Sequence, residues 1–229
     1  MLPQDLARRI DHTNLRQDAS SKDIEKLCEE AKRYNFYSVC VSPRRAPYAR
    51  ELLKGTNVKV CALIGFPLGS TFPEVKRFEA DKVAQRVHEL DVVVNVSAVK
   101  SGDFRVIQKE FEDIAEIAST YDIEHIKAIL DTCLLTRYEI TMAARYAVMG
   151  GATFLKTSTG VYCKATEEDV RFLRRLADEL GEEFGKKIYV KAAGGIRTRD
   201  QAVRMIEAGA DRIGSSSGVK IIETAPKRD

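Results

Sequence analysis

The sequence has no long apolar run, no paired-cysteine motif and almost no excess of either charge. Its 37 basic and 34 acidic residues leave a net charge of +3, which gives no electrostatic reason to expect a nucleic-acid or membrane partner. The longest nearly uncharged run, 60–72, contains Pro67 and is far shorter than the roughly 20 apolar residues that span a bilayer. The first residues do not resemble a secretory signal. These absences predict a soluble, cytoplasmic protein.

Metal and nucleotide motifs are missing as well. The five cysteines are widely spaced, without a C-x-x-C pair, so we expect neither a disulfide framework nor a zinc site. The three histidines lack the spacing of a metal-binding helix. Neither a Walker A motif nor G-x-G-x-x-G occurs, which argues against a nucleotide-dependent enzyme. What remains is chemistry that side chains carry out alone.

Short β-branched runs alternate with longer helical patterns along the whole chain, which is 44% apolar and 31% charged. The eight predicted strands are 9–12, 38–41, 58–63, 91–96, 125–131, 153–157, 188–192 and 211–215. Their starts recur about every 29 residues, a spacing that fits one strand and one crossover helix. No linker interrupts the series. The pattern predicts an α/β protein, a single (β/α)8 barrel over residues 1–229, with a doubly wound sheet as the alternative.

Capping boxes mark several predicted helix starts. They are Thr71-x-x-Glu74, Thr136-x-x-Glu139 and Thr198-x-x-Gln201, with a weaker one at Thr166-x-x-Asp169. Apolar residues at helical spacing over 24–31 and 106–118 predict one buried helix face in each segment.

Several predicted strands carry charge on the face that a barrel normally fills with apolar side chains. Alternation places inward Asp91, Val93 and Asn95 in one strand, Lys127 and Asp131 in the next, and Lys156 and Lys191 beside aromatic rings in two more. A lone lysine near a strand end is usually a surface residue. Burial of an unpaired ammonium costs several kcal/mol, so a cluster of inward lysines and carboxylates favours an active site over a structural salt-bridge network.

Glycine- and serine-rich turns follow three of the late strands. They read Thr-Ser-Thr-Gly over 157–160, Ala-Ala-Gly-Gly over 192–195 and Gly-Ser-Ser-Ser-Gly over 214–218. Backbone N–H groups in such turns, at the carboxyl ends of barrel strands, can cradle a phosphate. The alternative is that all three are ordinary turns.

Taken together, these segments resemble the deoxyribose-phosphate aldolase family of class I aldolases. The matching segments run nearly the whole chain: 10–13, 40–43, 64–69, 91–95, 100–103, 154–160, 190–198 and 214–218. The Lys-Thr-Ser-Thr-Gly stretch at 156–160 and the Lys-x-x-Gly-Gly-Ile-Arg-Thr stretch at 191–198 are the most specific of them.

The resemblance implies a (β/α)8 barrel that cleaves 2-deoxy-D-ribose 5-phosphate reversibly to D-glyceraldehyde 3-phosphate and acetaldehyde, in deoxyribose catabolism. It implies no metal or organic cofactor and a homodimer or homotetramer. It makes Lys156 the Schiff-base lysine, Lys191 the second lysine and Asp91 the acid/base carboxylate. Asp11 and Thr13 would hold sugar hydroxyls. The implied phosphate-binding residues are Gly160, Gly194, Gly195, Gly214, Ser216 and Ser217.

The residues alone leave alternatives open. Lys127 is the main rival nucleophile, although no Thr-Ser-Thr-Gly turn follows it; otherwise it has a supporting electrostatic role at the substrate. Cys40 is a buried apolar residue or a thiol that traps aldehydes. The rival functions are another phosphosugar aldolase or isomerase and a non-catalytic phosphosugar-binding barrel.

Overall fold

A computed structural model describes residues 1–224. Eight parallel strands close into a barrel in chain order, and the first strand pairs with both the second and the last. The strands are β1 Ile10–Asn14, β2 Ser38–Val41, β3 Lys59–Ile64, β4 Glu89–Val93, β5 His125–Ile129, β6 Phe154–Lys156, β7 Tyr189–Ala193 and β8 Arg212–Ser215. The predicted barrel is therefore confirmed. The predicted domain span, 1–229, ends five residues beyond the described ones.

Helices alternate with the strands and cover the outside of the barrel. They are α1 Pro3–Ala7, α2 Ser21–Tyr34, α3 Ala46–Leu52, α4 Pro73–Val83, α5 Val96–Lys100, α6 Phe104–Thr120, α7 Arg137–Met149, α8 Glu167–Phe184, α9 Arg199–Glu207 and α10 Gly218–Glu223. The outward strand residues and the buried helix faces form one large apolar core between the two layers. Among residues 1–224, no helix has the length and apolar character to cross a membrane.

Local sequence signals explain most helix starts. Thr136 and Thr198 form the predicted capping boxes of α7 and α9, and Thr166 accepts a hydrogen bond from the N–H of Asp169 at the start of α8. The predicted box at Thr71 is wrong, because Pro73 occupies the first position of α4 and Phe72 is its N-cap. Proline suits that position since it has no N–H to satisfy.

Two inward positions differ from the prediction because their strands end early. Strand β4 runs from Glu89 to Val93 rather than over 91–96, and the Asn95 side chain caps α5 by accepting from the N–H of Ala98. Strand β5 ends at Ile129, and Asp131 takes a positive φ of 44° beyond it. The pleat therefore no longer decides where these two side chains point.

Candidate active site

Seven charged side chains lie inside the barrel, and none is more than 5% exposed. They are Asp11 from β1, Glu89 and Asp91 from β4, Lys127 from β5, Lys156 from β6, Lys191 from β7 and Arg212 from β8. Strand register brings the two central lysines together, because Lys156 and Lys191 are direct partners across β6 and β7. The inward lysines that alternation predicted are thus real and mutually close.

Asp91 is the centre of this charged cluster. Its Oδ2 accepts hydrogen bonds from the Nζ atoms of Lys156, at 2.7 Å, and Lys191, at 2.8 Å. Its Oδ1 lies 2.9 Å from the Nζ of Lys127 and accepts from the Cys61 thiol at 3.0 Å. One carboxylate therefore couples all three lysines.

The other two carboxylates complete the pairing. Lys191 lies 2.6 Å from Asp11, and Lys127 lies 2.8 Å from Glu89. Arg212 bridges the same two carboxylates, at 2.7 Å from Asp11 and 2.8 Å from Glu89. Three of the four cations thus touch two carboxylates each.

Lys156 differs from the other cations in two ways. Among the described residues it forms an ion pair with one carboxylate, that of Asp91. It is also the member of the cluster that lines the main cavity. Four cations against three carboxylates leave one positive charge in excess, and buried charge is costly without a partner.

The remaining groups of the cluster are held in their charged forms. Burial raises the pKa of Asp91, but the three lysines outweigh burial and hold its pKa well below the ordinary value. Burial lowers the pKa of Lys191, yet Asp11 and Asp91 reverse that effect, and the net shift is upward. Burial also lowers the pKa of Lys127, but Asp91, Cys61 and Glu89 outweigh burial, and the net shift of this pKa is upward.

A cavity of about 880 Å³ opens above Lys156, at the carboxyl ends of the strands. All six predicted phosphate-binding residues line it: Gly160, Gly194, Gly195, Gly214, Ser216 and Ser217. Thr13 lines it as well, and Arg197 and Lys220 add positive charge to its wall. This face of the barrel is where (β/α)8 enzymes carry their active sites.

Glycine is required at two positions of the cavity wall. Gly194 has a φ of +107°, and a Cβ there would lie 2.6 Å from the Ser158 hydroxyl and 2.7 Å from the carbonyl oxygen of Cys163. Gly195 follows with a φ of +76°. Consecutive glycines in this region of φ allow backbone N–H groups to converge on an anion.

Four of the predicted site residues do not line the cavity. Asp11, Asp91, Lys127 and Lys191 are all fully buried inside the barrel. In the structure Asp11 is an ion-pair partner of Lys191 and Arg212. Asp131 instead accepts hydrogen bonds from the N–H and hydroxyl of Thr159 and braces the loop after β6.

Three members of the site were missed from the sequence. Glu89 was missed because the fourth strand was predicted to begin at Asp91. The strand begins at Glu89, and alternation from that residue places its side chain inward. Arg212 shares the inward face of β8 with Gly214, and the same alternation would have found it. Cys61 lies in register with Cys40 on β3 and β2. Both thiols are buried, which agrees with the small-residue interpretation of Cys40.

One group of side chains in the described part of the chain has the spacing of a metal site. The thiols of Cys40 and Cys61 and a carboxylate oxygen of Asp91 lie within 4.8 Å of one another. The three lysine ammonium groups that contact Asp91 would repel a divalent cation there. The surroundings of this group therefore favour hydrogen bonding over metal binding.

The sequence predicted no disulfide framework, and that prediction missed the one disulfide of the described residues. Cys133, in the turn after β5, is bonded to Cys163, in the loop after β6. The two residues are 30 positions apart in sequence, but adjacent parallel strands deliver their following loops to the same end of the barrel, and the Cα atoms are 5.6 Å apart. Spacing along the chain gives no sign of such a pair.

Fold and cluster together define the class of the protein: a (β/α)8 barrel with a buried lysine–carboxylate cluster in its interior and a cavity at the carboxyl ends of its strands. A sequence profile of the DeoC/LacD family aldolases matches residues 6–224. The chain belongs to this family. The predicted resemblance is thereby confirmed, and with it the assignment as an aldolase.

Individual relatives agree with the profile over nearly their whole length. A deoxyribose-phosphate aldolase of Thermococcus gammatolerans is 48% identical over 229 residues and covers 98% of each chain. One from Thermoanaerobacter sp. strain X514 is 47% identical, with 95% of this chain and 96% of the relative covered. The tetrameric deoxyribose phosphate aldolase of Aeropyrum pernix superimposes with a TM-score of 0.89 at 37% identity, over 97% of this chain and 91% of that one.

Proposed function

We propose that this protein is a class I aldolase that cleaves 2-deoxy-D-ribose 5-phosphate reversibly to D-glyceraldehyde 3-phosphate and acetaldehyde. The observation that carries the proposal is the position of Lys156, the cation of the buried cluster that has one carboxylate partner and faces the cavity. The names of the relatives supply the substrate, and the phosphate-sized glycine and serine turns beside the lysine agree with it.

The reaction begins at the free amine of Lys156, which adds to the C1 aldehyde of the open-chain sugar. Loss of water gives an iminium, which draws electrons from the bond β to C1, the C2–C3 bond. Removal of the C3 hydroxyl proton breaks that bond and releases D-glyceraldehyde 3-phosphate. The remaining enamine takes a proton at C2, and hydrolysis of the resulting iminium releases acetaldehyde.

Asp91 and Lys191 move the protons that these steps need. The Oδ2 atom of Asp91 accepts from both lysines, so a proton can pass between Lys156 and Lys191 through one carboxylate. Lys191 is kept protonated by Asp11 and Asp91 and supplies the positive charge that favours the neutral amine on Lys156. Lys127, fully buried between Glu89 and Asp91, holds Asp91 in place and acts on the substrate only through it.

The phosphate binds at the far end of the cavity, among the six glycines and serines named above. Thr13, on β1, also lines the cavity, and its hydroxyl is the one we assign to the sugar. Binding at the phosphate end orients the C2–C3 bond over Lys156, so that affinity for a remote group contributes to the rate.

Trapping of the acetaldehyde adduct tests the proposal. The protein is incubated with acetaldehyde and sodium borohydride, and mass spectrometry of its peptides locates the ethylated lysine. We expect the adduct on Lys156 in the wild type and none in Lys156→Met, which also loses cleavage. Lys127→Met is the matched control, because Lys127 is another buried lysine that contacts Asp91; it should still trap at Lys156. An adduct on Lys127 would make that residue the nucleophile.

We propose further that the chain is one aldolase domain that assembles as a homodimer or homotetramer in the cytoplasm. Tetramer formation by the Aeropyrum pernix relative supports self-association. Four apolar side chains, Leu68, Phe72, Val75 and Phe78, are between 50% and 74% exposed on α4 and the loop before it. We call them the α4 patch, and exposed apolar surface of this kind is typical of subunit contacts.

A further inference from the structure

The disulfide between Cys133 and Cys163 joins the two loops that flank the end of the Lys156 strand. Cys133 belongs to the short turn Thr132–Leu134 after β5, and Cys163 lies between β6 and α8. The loop that contains Cys163 begins with the Thr-Ser-Thr-Gly turn of the proposed phosphate site. The crosslink therefore acts on the segment that leads directly from the nucleophile to the cavity wall.

Residues 163–165 form the support on which the glycines of the cavity wall rest. The carbonyl oxygen of Cys163 lies 2.7 Å from the position that a Cβ on Gly194 would occupy, and the N–H of Ala165 donates to the carbonyl of Gly194 at 3.0 Å. The aliphatic stem of Lys164 lies over Gly195, with its Cγ 3.2 Å from the corresponding Cβ position. Displacement of this support would change the backbone that lines the phosphate end.

Other anchors of this segment are weak. Between positions 160 and 164, Cys163 has the one buried side chain, at 2% exposure. Val161 and Tyr162 are 54% and 57% exposed. The turn before this segment is held by Asp131, but two hydrogen bonds of residues 161–164 themselves are long, 3.3 Å from the Ser158 hydroxyl to the carbonyl of Cys163 and 3.3 Å from the N–H of Val161 to Thr159. The disulfide is thus the main restraint on the position of residues 161–164.

We propose that Cys133 and Cys163 are positioning residues: their disulfide holds the support of Gly194 and Gly195 in the geometry that binds the substrate phosphate. This inference rests on the proposed function and deepens it. Breakage of the crosslink weakens recognition of the phosphate, while the lysine cluster, which is built from strands, keeps its chemistry.

A dithiol can open the crosslink from solvent, because Cys133 is exposed whereas Cys163 is buried. A thiolate of the dithiol attacks the Sγ of Cys133, the S–S bond breaks, and Cys163 leaves as a thiolate that takes up a proton. The second thiol of the reagent then displaces Cys133. The protein gains two electrons and two protons, and the reagent becomes a cyclic disulfide.

The experiment compares the oxidised protein, the protein reduced anaerobically with dithiothreitol, and Cys133→Ser. Steady-state rates are measured with 2-deoxyribose 5-phosphate and with 2-deoxyribose, and calorimetry measures the binding of inorganic phosphate. We expect loss of the crosslink to raise KM for the phosphorylated sugar and to weaken phosphate binding by about tenfold, the equivalent of about 1.4 kcal/mol. The kcat/KM for 2-deoxyribose should change much less.

Cys28→Ser is the control, since Cys28 is a free, buried cysteine on α2; it should respond to dithiothreitol as the wild type does, whereas Cys133→Ser should not respond. An equal loss on both sugars, or an unchanged phosphate affinity, would overturn the proposal. Titration of the thiols in the unreduced, denatured protein is a further check. The crosslink predicts that three of the five cysteines react, and five reactive thiols would overturn the proposal. Acetaldehyde trapping on the same samples keeps the two proposals separate, because its failure would refute the aldolase chemistry and leave the phosphate measurement valid.

Discussion

At the scale of single residues, the three lysines of the interior cluster differ in the number of carboxylates that they touch. Lys127 and Lys191 each lie between two carboxylates and remain ammonium groups. Lys156 has one such partner among the described residues and shares it with both other lysines. We propose that this difference makes the same side chain a fixed charge at two positions and the nucleophile at the third.

Replacement of Lys191 by leucine tests this division of roles. The change removes one cation, so that three cations and three carboxylates remain in the cluster. Two like charges about 5 Å apart repel by roughly 3 kcal/mol at an effective dielectric of 20, which corresponds to about two pH units. We expect iminium formation in single-turnover experiments to slow at neutral pH, with its alkaline rise moved upward by one to two units. A uniformly lower rate with an unmoved profile would instead identify Lys191 as a direct proton donor.

Replacement of Gly195 by valine should separate phosphate binding from aldolase chemistry. The φ of +76° strains any side chain at this position by about 1–2 kcal/mol, and the branched carbons obstruct the approach of the phosphate. We expect binding of inorganic phosphate to weaken by about tenfold, or about 1.4 kcal/mol, and activity on 2-deoxyribose to fall much less.

Gly55→Val is the matched control for this change. Gly55 has a φ of +78° and no atom within 4 Å of its Cβ position, and it is not among the residues that line the cavity. It should reproduce the loss of stability without the loss of phosphate affinity. An equal effect of both variants on phosphate binding would show that backbone strain alone is responsible.

At the scale of elements, a buried ion pair fixes α4 and α6 to the end of β4. Lys76 on α4 lies 2.7 Å from Glu110 on α6, and both are fully buried. Lys76 also donates to the carbonyl of Val93 at 2.8 Å, where β4 ends. Removal of Lys76 alone, as in Lys76→Met, leaves an unpaired buried carboxylate, which typically costs 3–5 kcal/mol of unfolding free energy.

The same pair predicts a pH dependence of stability. Burial raises the pKa of Glu110 from 4.5 to about 6, against the opposing effect of Lys76. Between these pH values the folded protein binds a proton that the unfolded chain has lost, so this group's contribution to stability falls as pH rises through the window, by up to about 2 kcal/mol. The three histidines have lowered pKa values, so their contribution to stability rises with pH. Because this opposes the effect of Glu110, a comparison with a variant is needed to isolate Glu110.

We therefore expect Lys76→Met/Glu110→Gln, which removes both members, to gain stability relative to the wild type as pH rises from 4.5 to 6. Urea unfolding at a series of pH values measures the difference, in which the histidines cancel. Parallel pH profiles of the two proteins would contradict the raised pKa of Glu110.

For individual elements, the sequence predicts the features that depend on the local periodicity of side chains. It fails for the features that depend on contacts between segments distant in sequence. Alternation found Asp91, Lys127, Lys156 and Lys191 on the inward face because a strand has a period of two. Alternation could not show that Lys156 and Lys191 contact the same oxygen of Asp91, because the register between strands cannot be read from the sequence of either strand alone. The Cys133–Cys163 bond depends on the paths of two loops after neighbouring strands. Asp131 left its predicted face because its positive φ interrupts the pleat.

At the scale of the whole molecule, the α4 patch is the surface that we expect to contact another subunit. Phe72 and Phe78 are 74% and 62% exposed, and large aromatic side chains dominate the binding energy of many interfaces. Phe72→Asp/Phe78→Asp should raise the dissociation constant of the oligomer by about 30-fold, the equivalent of about 2 kcal/mol. Light scattering on a dilution series measures this change.

Tyr138→Asp serves as the control, because Tyr138 is another exposed aromatic residue, at 66% exposure, but lies on α7. It should leave the molar mass unchanged. If Tyr138→Asp dissociates the oligomer and the α4 variant does not, the contact lies on α7.

The charges of the interior cluster are also divided by sign between the two halves of the chain. All three of its carboxylates come from β1 and β4, and all four of its cations come from β5 to β8. A fragment that ends after β4 would bring only anions to its inner face, and the complementary fragment only cations. Neither half can close against a copy of itself without placing like charges together. Separately produced halves should thus prefer each other over themselves, and that preference should weaken with added salt during their encounter.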